Sequence, residues 1–69
     1  MEIKSGMAGL VESILVTVGD KIETGQKVIL IESMKTIMDV DSPAQGTVKE
    51  IKCACGDFVD EGDILLVLE

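Results

Sequence analysis

The chain has 69 residues, with thirteen acidic residues against six lysines, no arginine and no histidine, and a formal net charge of −7. An acidic surface disfavours nucleic acid, whose phosphates require basic partners. Without histidine, neither a Ser-His-Asp nor a Cys-His catalytic arrangement can be built, and the commonest metal ligand is missing. The composition therefore argues against an enzyme and against a nucleic-acid-binding protein.

Apolar residues make up 46% of the chain, yet it has one Phe and no Trp or Tyr, so its core must come from Val, Ile, Leu and Met. Branched side chains favour strands. No apolar run approaches the ~20 residues that span a bilayer, and no basic segment precedes an apolar leader. We expect one domain, residues 1–69, that is cytoplasmic and monomeric and has no membrane partner.

The first half of the chain has the pattern of short strands separated by glycine turns. Apolar residues recur at every second position at Ile14, Val16 and Val18, as in a strand with one buried face. The segment VGDKIETG follows; it contains Gly19-Asp and a second glycine, which are typical of tight turns. No stretch shows helical periodicity with capping residues.

The centre of the chain is a hairpin pattern without ordinary turn residues. In LIESMKTIMDVD, Leu30–Asp41, apolar segments flank Ser33-Met34-Lys35-Thr36, which lacks Gly, Asn, Asp and Pro. Those four residue types accept turn dihedrals at low cost. A lone loop lysine is usually a solvated charge, and an exposed methionine usually needs no explanation. Met34 and Lys35 occur together in this turn, and Lys35 is the midpoint of the chain, so we favour a functional interpretation of Lys35.

The second half repeats the first. A shift of 37 aligns residues 1–32 with 38–69 without a gap, and nine positions are identical, including Gly19/Gly56 and Glu32/Glu69. Two copies are too few for a stacked array, so we expect each to cover the other about an approximate two-fold axis. This predicts an all-β, flattened antiparallel sandwich or barrel of two interlocked sheets, with Lys35 at one end and both termini at the other.

Cys53 and Cys55 form a C-x-C pair near the end of the second copy. A four-ligand zinc site would need more ligands, and a redox pair would need a different spacing. We interpret both as small apolar residues on one face of a strand, in or near the core. No metal is expected.

The segment ESMKT, centred between two Gly-Asp repeats, resembles the attachment turn of the biotinyl/lipoyl carrier domain family, and the resemblance covers essentially the whole chain. Biotin-accepting members usually carry Glu-Ala-Met-Lys-Met, which Glu32, Met34 and Lys35 match, whereas Ser33 and Thr36 replace the commoner alanine and methionine. Lipoyl-accepting members usually carry Asp immediately before the lysine.

Two glycines extend the resemblance beyond the turn. Gly19 lies sixteen residues before the lysine and Gly46 eleven after it, where the family typically has glycine. We interpret both as structural turn residues, because glycine permits a positive φ. The lack of an Ala/Pro-rich linker, and of the protruding loop of some acetyl-CoA carboxylase carriers, is typical of a free-standing carrier.

The resemblance implies that Lys35 carries covalent biotin, attached by a biotin protein ligase that recognises Met34. Glu32, Ser33 and Thr36 would have a secondary influence on the attachment turn. The chain would have no catalytic residues of its own and would shuttle carboxybiotin between carboxylase and carboxyltransferase subunits.

Two alternatives stay open at this point. The chain is a lipoyl carrier, or a dual biotin/lipoyl acceptor also served by lipoate ligase, in acyl or aminomethyl transfer. More distantly, it is an unmodified β-sandwich interaction module whose acidic surface meets a basic partner.

Overall fold

The computed structural model describes all 69 residues and contains eight strands and no helix. The strands are β1 (Glu2–Lys4), β2 (Gly9–Ile14), β3 (Lys21–Ile22), β4 (Lys27–Ser33), β5 (Thr36–Asp41), β6 (Gly46–Ile51), β7 (Phe58–Val59) and β8 (Ile64–Leu68). The predicted all-β class is confirmed. The structure has no helix that could span a membrane.

The strands form two four-stranded sheets, in the orders β1-β8-β6-β3 and β5-β4-β2-β7, and all pairings are antiparallel. Each sheet takes two strands from the first half of the chain and two from the second. Strand β1 pairs with β8 and β3 with β6, while β7 pairs with β2. The two sheets are therefore interlocked, as predicted.

The turns after β2 and β6 are built by the same hydrogen bonds, 37 residues apart. The Gly19 N–H donates to the Val48 carbonyl and the Gly56 N–H to the Val11 carbonyl, both at 2.8 Å. The two glycines have φ values of +96° and +92°, which side chains disfavour. Gly19 is thus a turn residue, and its turn bonds to the other copy of the repeat.

The core repeats in the same way. Twelve apolar residues are buried, and five pairs among them are 37 residues apart: Val11/Val48, Ile22/Val59, Val28/Leu65, Ile29/Leu66 and Ile31/Leu68. Because both copies contribute equivalent strands, neither copy encloses this core alone. Each copy covers the other.

The cysteines differ from their predicted setting. Cys53 and Cys55 lie in the loop after β6, not in a strand. Cys53 packs against the core at the position equivalent to Val16, and Cys55 is exposed. Burial, with smaller effects of Asp57 and Cys55, raises the pKa of the Cys53 thiol. A raised pKa makes Cys53 a weak nucleophile.

The central turn and the chain termini lie at opposite ends. The Met1 ammonium donates to the Leu68 carbonyl at 2.7 Å, so the two termini are neighbours. At the end with the turn, Gly9 at the start of β2 lines the same groove as Lys35. At the end with the termini, Gly46 pairs with β3 and lies beside Glu69. The six residues of β2 extend ~17 Å from the groove beside the turn. The molecule is 31 Å long.

Gly46 is not the turn residue that we predicted. It begins β6 without a positive φ, and an added Cβ would lie 3.2 Å from the Glu69 carbonyl oxygen. Its equivalent, Gly9, is tighter: a Cβ there would lie 2.6 Å from the Glu32 carbonyl oxygen and 2.7 Å from Ile31 Cγ2. These glycines allow close approach of neighbouring chain segments, a long-range requirement that local sequence does not reveal.

Gly9→Ala should lower the free energy of unfolding by about 1–3 kcal/mol, because the new methyl group would force the backbone at Glu32 to move. Urea denaturation measures the change. Gly6→Ala is the matched control, since a Cβ at Gly6 meets nothing within 4 Å. Equal stability of the two variants would contradict the packing role of Gly9.

Candidate functional site

The candidate site is the tip of the hairpin formed by β4 and β5. Ser33 and Thr36 face each other in the last pair of the ladder, which leaves Met34 and Lys35 as a two-residue turn. Their φ values are +52° and +64°. A two-residue hairpin turn with positive φ at both positions is type I′, which normally takes Asn-Gly.

This turn conformation is costly for the residues that occupy it. A side-chain-bearing residue in the left-handed region costs about 1–2 kcal/mol. The turns at Gly19, Gly25, Gly56 and Gly62 avoid that cost, because their positive φ values belong to glycine. The long hairpin imposes the conformation on Met34 and Lys35, and strain of this kind is concentrated at functional sites.

Both turn side chains are exposed, and Met34 exposes 94% of its surface. The ion pairs of the chain are Lys27–Asp39, at 3.0 Å, and Lys52–Glu50, at 2.9 Å. The hydrogen bond that the Lys27 ammonium donates to the Asp39 carboxylate, together with the charge of that carboxylate, raises the pKa of Lys27. Lys35 has no such carboxylate partner, so its amine is accessible to an external enzyme.

The other predicted site residues have different positions. Glu32 is half-buried on β4 and pairs across the ladder with Ile37, while Ser33 and Thr36 close the hairpin as the first and fourth residues of the turn. Residues 32–36 therefore all lie at the tip of the hairpin. Gly19 and Gly46 lie away from this tip, in a turn after β2 and at the start of β6.

Sequence reasoning missed two side chains near the tip. Leu10 and Phe58 are paired across β2 and β7, and they expose 45% and 63% of their surfaces. They line a groove of about 310 Å³ that also contacts Met34 and Lys35. The available signal was that Phe58 is the one aromatic residue, at a position where the other copy has a lysine.

Comparison with known proteins identifies the family of the chain. The Biotin_lipoyl family model, described as biotin-requiring enzyme, matches residues 1–68. The biotin/lipoyl attachment protein of Bacillus subtilis (strain 168) is 46% identical over 68 residues, which are 99% of this chain and 93% of that protein.

Two further relatives are parts of different enzymes, one a carboxylase and the other an acetyltransferase. The mitochondrial propionyl-CoA carboxylase alpha chain of Homo sapiens is 40% identical over 97% of this chain. The dihydrolipoyllysine-residue acetyltransferase component of the Pseudomonas aeruginosa pyruvate dehydrogenase complex is 43% identical over 99%. The chain spans 9% and 12% of these two proteins, respectively.

Among solved structures, urea carboxylase of Kluyveromyces lactis superposes on the whole chain with a TM-score of 0.93 and 36% identity, and the match covers 6% of that enzyme. The sequence match over nearly the whole chain and the shared fold agree with the exposed lysine at the hairpin tip. The chain belongs to the biotin/lipoyl attachment domain family, whose members are carrier domains and are not themselves catalytic.

Proposed function

We propose that the chain is a biotin carrier. Lys35 would be biotinylated, and the domain would move carboxybiotin between the carboxylase and carboxyltransferase active sites of a biotin-dependent carboxylase system. The observation that carries this proposal is the Met34-Lys35 pair, fully presented at the tip of a type I′ turn. Met34 and Lys35 make this turn less stable than Asn-Gly would, so stability does not explain their presence there.

The chemistry asks little of the carrier itself. Lys35 Nζ, once deprotonated, attacks the carbonyl carbon of an acyl-adenylate; an amide bond forms, AMP leaves, and the proton passes to a base of the ligase. The paired strands β4 and β5 hold the nucleophile in a fixed position. Bound biotin would supply a nitrogen that carries carboxylate, on a tether that raises its local concentration at each partner site.

Met34 supports biotin over lipoate. Lipoyl acceptors of the family usually present an acidic side chain at this position. A ligase pocket that accepts Met would leave Asp desolvated and unpaired, at a cost of several kcal/mol. The similarity to propionyl-CoA carboxylase and urea carboxylase supports a carboxylase system as the partner.

Lipoate is the second candidate, and the acetyltransferase relative favours it. A lipoate ligase that expects Asp would lose one polar contact on meeting Met34, at a cost of roughly 0.5–1.5 kcal/mol. Thr36 adds no bulk or charge that would oppose this ligase. Dual modification by both ligases follows from the same reasoning, and the name of the Bacillus subtilis relative includes both cofactors.

The proposed setting is a cytoplasmic monomer that meets a biotin ligase and carboxylase subunits in turn. Cys53 and Cys55 are free thiols, which fits a reducing compartment. A net charge of −7 opposes self-association. Both features support this setting, in which ATP for acyl-adenylate formation is also present.

Lys35→Arg should abolish attachment of biotin or lipoate and leave the fold intact, because arginine keeps the positive charge but offers no acylatable amine. Intact mass after incubation with ligase, ATP and vitamin measures attachment. Lys21→Arg is the matched control and should be modified like the wild type. Attachment to the Lys35→Arg variant would exclude Lys35 as the acceptor.

Met34→Asp should shift the domain from biotin toward lipoate. Asp tolerates the positive φ of position 34 better than most residues, so the hairpin should persist. Initial rates with a biotin ligase and a lipoate ligase, followed separately by mass, measure the preference. The wild type should be biotinylated faster; faster lipoylation of the wild type would reverse the choice of cofactor.

A further inference from the structure

An exposed row of side chains crosses the outer face of one sheet directly below the turn. In strand order β5-β4-β2-β7, the paired residues are Ile37, Glu32, Leu10 and Phe58. Directly paired residues of an antiparallel sheet share one face. Ile37, Leu10 and Phe58 expose 48%, 45% and 63% of their surfaces, and the four strands make the row about 14 Å wide.

The repeat provides an internal control for this row. At the opposite end of the molecule, the equivalents of Phe58, Leu10 and Glu32 are Lys21, Thr47 and Glu69. Lys21 pairs with Thr47, and the Glu69 N–H donates to the Thr47 carbonyl at 2.9 Å, so the same row exists there with polar side chains. The fold does not require apolar side chains in this row.

The apolar row is continuous with the attachment turn. Leu10 and Phe58 line the same groove as Met34 and Lys35, with Glu32 at its side. We define the tip patch as Leu10, Met34, Ile37 and Phe58. Exposed apolar residues grouped in this way mark interaction sites, and large aromatic side chains are the usual anchors of an interface.

We propose that the tip patch is the docking surface for the ligase that acylates Lys35; this inference rests on the proposed function. Phe58 and Leu10 would enter an apolar cleft of that enzyme beside its acyl-adenylate site. An enzyme that holds an adenylate phosphate needs cationic groups, and this carrier has a net charge of −7. Opposite charges would therefore steer the two proteins together, while the apolar contacts fix the position of Lys35.

The docking proposal is tested by replacing Leu10 and Phe58 with the residues found at the equivalent positions of the other copy, Thr and Lys. Leu10→Thr/Phe58→Lys should lower kcat/KM for acylation about tenfold or more, because truncated interface anchors weaken docking, and most of the loss should be in KM. The assay uses purified apo-domain, with the biotin or lipoate ligase that modifies the wild type. Leu15→Lys is the charge-matched control: Leu15 is 51% exposed, and its repeat equivalent is Lys52.

Each outcome decides the proposal. A loss in the double variant with normal acylation of Leu15→Lys supports it, whereas normal rates in both variants, or equal losses in both, overturn it. If urea titration shows that the double variant is unfolded, the single variants Leu10→Thr and Phe58→Leu replace it. Leu15→Thr is the control for Leu10→Thr. A normal KM in both single variants overturns the proposal. A wild type that neither ligase acylates overturns the proposed function itself.

Discussion

The structure depends on the way that the two copies of the repeat complete each other's sheets. A pair of strands is marginally stable in water, and central strands need partners on both sides to satisfy their backbone groups. Strands β6 and β2 obtain their outer partners, β3 and β7, from the other copy. The core at Val11/Val48 and Ile31/Leu68 closes only when both copies are in place. A chain of 69 residues can bury only a small core, and here the two copies form that core by packing on each other.

This interlocking allows the central hairpin to hold an unfavourable turn. Strand β4 pairs with β2 and with β5, so its position is determined from both sides. Met34 and Lys35 consequently keep positive φ values that would cost an unsupported hairpin about 1–2 kcal/mol per residue. A rigid base with an exposed lysine gives a carrier a fixed point of attachment, from which a flexible arm can reach different active sites.

The repeat also separates what the fold requires from what function adds. Positions that keep the same role in both copies, such as Gly19/Gly56 with their positive φ values, belong to the common scaffold. Phe58 and Lys21 occupy equivalent places in the sheets yet differ in chemistry, and only Phe58 lies near the attachment turn. The departure at Phe58 is therefore not required by the common scaffold, and its place beside the turn supports a functional role for it.

The sequence by itself determined the all-β class, the 37-residue repeat, the turn at Gly19 and the central position of Lys35, because each is carried by local composition or by spacing along the chain. Tertiary structure decided three other features: the packing role of Gly46, the loop setting of Cys55, and the tip patch that joins Leu10 to Phe58. These features depend on strand pairing between distant segments, and the positive φ of Met34 likewise depends on the hairpin that encloses it. Residues 48 positions apart become neighbours only when the two copies interlock, and no local pattern encodes that contact.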